Sequence, residues 1–132
     1  MASTEDGTTL RRGARPHPAW SALVGLTSLG VLLQGLWAGL FLRRDADGST
    51  WYALHQHGAE ATIVLALLAT VAAAVWLRHR RDLLVGTALL LVLLVVEYFL
   101  GRAGGTGVAV HVPLAMLLMG LAVWLPMAAR RG

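Results

Sequence analysis

The 132-residue chain is 57% hydrophobic and 14% charged, with a formal net charge of +4; it is too apolar for a soluble domain and suits a small membrane bundle. It has no cysteine, which excludes disulfides, thiolate metal sites, iron-sulfur clusters and covalent porphyrin attachment. All eleven basic residues are arginines outside the apolar runs, so they read as charges beside lipid headgroups rather than as a nucleic-acid face.

Met1 to Pro18 is polar and rich in Thr, Gly and Pro, and is expected to be a disordered cytoplasmic tail before a transmembrane domain over residues 19–131. Arg11 and Arg12 resemble a twin-arginine export signal. The apolar run behind them is longer than a signal h-region and no small-x-small cleavage site closes it, so it reads as a membrane anchor.

Four apolar segments follow, about 20–42, 51–77, 83–100 and 108–127. Each has the length a helix needs to cross a hydrocarbon core of about 30 Å. They lack the alternation of a membrane barrel, so backbone satisfaction in lipid makes them helices. The short connections, 43–50, 78–82 and 101–107, predict antiparallel neighbours. The expected fold is an all-α, antiparallel up-down bundle of four transmembrane helices.

Arginines set the expected orientation. Eight (Arg11, Arg12, Arg15, Arg78, Arg80, Arg81, Arg130, Arg131) fall on one side and three (Arg43, Arg44, Arg102) on the other. The positive-inside rule then puts both termini in the cytoplasm of a bacterial inner-membrane, multi-pass protein. Its partners would be the lipid bilayer, a redox or respiratory membrane protein and, in a homodimer, a second copy; no nucleic acid is expected.

In this topology the second and fourth segments run inward from the outer face, and His57 and His111 lie within about their first two turns. Glu97 and Gln34 approach the same level from the other two segments, so one polar side chain from each helix converges on one layer. Ionisable groups at such depth are functional candidates. Glu60 shares the face of His57, while His55 is out of phase with it. A membrane carboxylate should face the bundle interior, so His57 is expected inside and His55 at the interface or outer loop, though His55 remains the alternative.

An internal repeat supports the pairing. His57 to Ala61 and His111 to Ala115 both read H-x-x-x-A, and LLQGLWAGL matches VVEYFLGRAG with a polar residue followed by a small one a turn later. The small residues, Ala61 and Ala115, would leave clearance for a flat ring. A single membrane histidine often only bonds helices together; two at matched depth on co-directional helices suit axial ligation of a porphyrin. Met116 and Met119 read as core packing. Zinc on His57, His111, Glu60 and Glu97 is an alternative without a supporting motif. Phosphate loops, dinucleotide fingerprints and nucleophile elbows are absent from the sequence.

The passage from Val95 to Arg131, with a polar residue and glycine ending one helix, a Gly-rich loop and H-x-x-x-A in a Leu-rich helix, resembles one four-helix half of a heme A synthase. LLQGLWAGLF together with His57 is similar to the first helix pair of such a half. The resemblance implies one heme b near the outer face, with His57 and His111 as axial ligands. Gln34, Glu60 and Glu97 would orient the imidazoles, and Arg43, Arg44 or Arg102 would contact the propionates. The family has two such halves and usually shows glutamine where Glu97 stands. Electron transfer or heme handling is therefore expected, and heme-methyl oxidation only if two chains dimerise. The alternative is a heme-free accessory or assembly subunit, or a small proton-coupled carrier using Glu97.

Overall fold

The computed structural model describes residues 15–43 and 48–131. They form four helices, α1 (Pro18–Phe41), α2 (Gly48–Trp76), α3 (Arg81–Ala103) and α4 (Thr106–Arg130), each long and apolar enough to span a membrane. Arg44 and residues 1–14 of the expected tail lie outside the described residues. α1 lies against α2 and α4, α2 against α3, and α3 against α4, closing a ring of neighbours.

Local chemistry sets the ends. Pro18 opens α1 where a missing N–H costs nothing, and the His17 ring nitrogen accepts from the Ala19 N–H at 3.3 Å. Arg80 turns the chain from α2 into α3: it pairs with Asp82 at 3.1 and 2.9 Å and donates to the Ala128 carbonyl of α4 at 3.3 Å. Those two acceptor oxygens of Asp82 hold the guanidinium above its usual pKa. Between α3 and α4, Gly104 and Gly105 have φ of 64° and 50°, a left-handed backbone that glycine adopts without cost.

The buried residues follow one rule. On α1 they are Trp20, Val24, Thr27 and Val31; on α3, Leu83, Thr87, Leu90 and Leu94 recur at the same steps of four and three. α2 repeats the steps with Thr62, Ala66, Ala69 and Ala73, and α4 with Leu118, Ala122, Leu125 and Ala129. That spacing produces close lengthwise packing of helices. The alanines let α2 and α4 approach their neighbours, as small residues do in membrane bundles.

The buried hydroxyls are satisfied within their own helices. Thr27, Thr62 and Thr87 each donate to the carbonyl four residues back, at 2.8, 2.7 and 2.6 Å. Ser28 does more: besides Val24 it reaches the Ala122 carbonyl of α4 at 2.7 Å. Ala122 is four residues before Pro126, which lies inside α4 and has no N–H to give it. Ser28 supplies the missing donor and ties α1 to α4.

Candidate functional site

Continuing each stripe beyond the apolar core brings it to a polar residue: Gln34 on α1, His55 on α2, Glu97 on α3 and His111 on α4. Residue numbers on α3 exceed their α1 counterparts by 63 throughout, so Val31 and Gln34 correspond to Leu94 and Glu97. α4 exceeds α2 by 56, so His55, Ala59 and Thr62 correspond to His111, Ala115 and Leu118. The two hairpins are copies of one pattern.

The histidines are held the same way in both copies. His55 places Nδ1 3.1 Å from the Gln34 backbone carbonyl, and His111 places Nδ1 3.2 Å from that of Glu97. A carbonyl only accepts, so a bond to it puts the proton on Nδ1 and leaves Nε2 a lone pair, the tautomer of a metal-binding imidazole; beside His111 Nδ1 stand two acceptors, the Glu97 carbonyl and its Oε1. The Gln34 amide, with its nitrogen toward the His55 carbonyl at 2.8 Å and its oxygen toward the Ala59 N–H at 2.9 Å, also brings that nitrogen within 2.9 Å of His55 Nδ1. An amide nitrogen carries two hydrogens, so it reaches the His55 carbonyl and Nδ1 together, and the His55 tautomer follows whether Nδ1 accepts from this amide or donates to the Gln34 backbone carbonyl.

The two rings stand 6.4 Å apart, centroid to centroid, with an interplanar angle of 77°. One metal ion at about 2 Å from a nitrogen of each ring would hold the centroids roughly 6 Å apart. Both rings line a cavity of about 720 Å³ whose walls include Gln34, Ala59, Glu97, Tyr98, Arg102 and Ala115, within the range of about 300–1,000 Å³ typical of cofactor pockets. Phe41 packs a tilted ring 5.4 Å from His55. Gly101, the small residue one turn after Glu97, makes room for the second histidine: a Cβ there would sit 3.1 Å from His111 Cε1. The donor set and the space fit a flat metal chelate held between two imidazoles.

Glu97 is 8% exposed, and neither carboxyl oxygen has a hydrogen-bond partner. Its Oε1 lies 3.2 Å from His111 Nδ1, but that N–H is directed at the backbone oxygen of the same residue. Distance alone makes the pair close; alignment leaves the carboxyl unpaired, and alignment decides hydrogen bonding. Unpartnered buried groups of this kind concentrate at functional positions.

The structure reverses the expected placement of the α2 histidines. His57 points outward with its side chain 74% exposed and pairs with Glu60 at 3.2 Å, while His55 lines the cavity. Glu60, which sets the expected inward phase, has its own side chain 46% exposed: thirteenth of the 29 residues of α2, it turns outward to His57 and Tyr98 instead of facing the interior. Glu60 also accepts from the Tyr98 hydroxyl at 2.9 Å, forming with His57 a surface bridge from α2 to α3. Ala61 goes outward with His57, and Ala59 takes the place beside the cavity. Of the expected propionate contacts, Arg102 lines the cavity, Arg43 does not, and Arg44 lies outside the described residues. Met116 and Met119 both line the cavity, and Met119 also packs against the hydrophobic core as expected. Among the described residues no three His, Asp or Glu side chains converge on a metal-sized site, so the tetrahedral zinc set is not assembled.

His55, expected only as the alternative to His57, and Ala59 take places the sequence did not assign them, and Phe41 and Tyr98 were not singled out at all. A signal for the first two was present, since His55-Gln-His-Gly-Ala59 is also H-x-x-x-A and is the version in step with the α2 stripe. Comparison with protein-family models, curated proteins and solved structures finds no match to this chain.

Proposed function

We propose that the protein is a b-type heme-binding protein of the bacterial cytoplasmic membrane, with antiparallel up-down helices and both termini cytoplasmic, acting in electron transfer or heme handling. The carrying observation is the His55–His111 pair, each ring fixed through Nδ1 to the carbonyl of the preceding helix and both facing one cavity. His55 and His111 would hold the heme, which would supply one-electron transfer when bound. Gln34 and the Glu97 backbone hold the two imidazoles in orientation, and Ala59 and Ala115 leave clearance below them. Phe41 and the apolar walls limit water. Arg102 offers a guanidinium at the cavity wall, suited to a propionate carboxylate. Likeness to half of a heme A synthase belongs to this proposal, as does the exchange of its second histidine from His57 to His55.

Purification in mild detergent after growth with added heme tests it. A Soret band is expected in the wild type and in His57→Ala, and is expected to be lost in His55→Ala and in His111→Ala. A colourless wild-type protein overturns the proposal.

The unpaired Glu97 carboxyl favours a second reading, a heme-free proton-coupled carrier. It predicts a colourless protein whose transport activity is lost in Glu97→Gln.

A further inference from the structure

At the other end of the bundle from the histidines, where α1 begins and α4 ends, a groove of about 900 Å³ opens between those two helices. Three arginines border it, Arg15, Arg130 and Arg131. None of them pairs with a carboxylate among the described residues, where the neighbouring acid, Asp82, is bound to Arg80. Trp20 also lines the groove; it is 0% exposed, and its indole N–H has no acceptor. An indole N–H buried in a protein normally has a partner. Beside it the walls turn apolar along the flank of α1, and next to Gly25 there is open space where a Cβ would touch nothing.

We propose that this groove binds an anionic phospholipid, its phosphate among the three guanidiniums and the Trp20 N–H and one acyl chain along the open face at Gly25. Guanidinium matches phosphate oxygens in geometry as well as charge. An acceptor oxygen at Trp20 would satisfy a buried indole donor that has no acceptor among the described residues. The apolar flank distinguishes a lipid from a free phosphate ion, which would gain nothing from it. Basic pockets between membrane helices are suited to such headgroups. The site shares no residue with the histidine cavity and does not depend on what that cavity holds.

The test uses the full-length chain in maltoside detergent, titrated with phosphatidylglycerol, phosphatidylcholine or inorganic phosphate, with retained lipid read by native mass spectrometry and stability by thermal unfolding. Phosphatidylglycerol is expected to stay bound and raise the unfolding temperature. Combined Arg15→Gln, Arg130→Gln and Arg131→Gln should weaken it about 100-fold. Trp20→Phe should weaken it about tenfold; the smaller ring leaves a cavity at a fully buried site, so the effect is read as retained lipid against that variant's own lipid-free unfolding temperature. Gly25→Leu fills open space, so it should fold normally yet lose the lipid; it keeps the test decisive if the arginine variant does not fold. Equal retention of phosphatidylglycerol in wild type and Gly25→Leu overturns the proposal. So does full displacement by inorganic phosphate, or phosphatidylcholine bound as tightly as phosphatidylglycerol.

Discussion

His55 and His57 differ by two positions and about 200° of helical turn, and that turn separates a cavity from the surface. His55 continues the line of Thr62, Ala66, Ala69 and Ala73; His57 continues nothing buried. The stripe is therefore a better phase marker than a lone carboxylate: Glu60 finds Tyr98 and His57 instead of the interior. Glu97 has the opposite character, lying on the stripe with both oxygens unpaired. Its counterpart in the first hairpin is Gln34, an amide that satisfies two backbone groups. An amide at this position would make the backbone bonds that Gln34 makes in the first hairpin, each worth about 0.5–1.5 kcal/mol, where the carboxyl makes none. Glu97→Gln is accordingly expected to raise the thermal unfolding midpoint; a lower midpoint would mean that the carboxyl has a stabilising partner.

At the scale of the helix, the four segments and their order were legible because apolar runs of membrane-spanning length leave few alternatives. Their ends were not. α2 begins at Gly48 rather than Trp51, α3 continues past Leu100 to Ala103, and α4 runs on to Arg130. Hydropathy reports the thickness of the hydrocarbon, while the backbone helix continues into the headgroup layer for as long as its hydrogen bonds are satisfied. The Ser28–Ala122 bond was also beyond sequence reading, since it needs α1 and α4 to be neighbours before Pro126 can be connected with Ser28. It makes a testable coupling. Ser28→Ala should cost about 0.6–1.5 kcal/mol in reversible unfolding. In a Pro126→Ala background, where an N–H is restored to the Ala122 carbonyl, most of that cost should vanish. Additive effects would show that the serine does not compensate for the proline.

Across the whole molecule, the proposed orientation, with both termini on the cytoplasmic side, rests on the arginine distribution in the sequence. The cysteine-free sequence makes this directly measurable. Single cysteines at Ala103, beside the α3–α4 turn, and at His79, in the α2–α3 turn, can be tested in intact cells with a membrane-impermeant maleimide. Labelling is expected at position 103 and not at 79; the reverse pattern inverts the topology. The bundle's duplicated plan was partly legible, in the matched H-x-x-x-A segments and polar residues. The sequence reading aligned the copies through His57, two positions from the register the buried stripes obey.

The polar layer is also off-centre. On α3, Glu97 lies six residues from Ala103, the last of the helix's 23 residues, so at 1.5 Å per residue the layer is about 9 Å from one end of a helix roughly 34 Å long. Since the helix end reaches into the headgroup layer, at most about a quarter of the transmembrane voltage falls between the layer and its nearer face. With about 2.3 kcal/mol per elementary charge per 100 mV, a charge arriving from that face does at most roughly 0.6 kcal/mol of electrical work at 100 mV. One arriving from the opposite face does at least about three times as much. Exchange with the nearer side would thus be almost indifferent to the energised state of the membrane, while exchange with the far side would be governed by it.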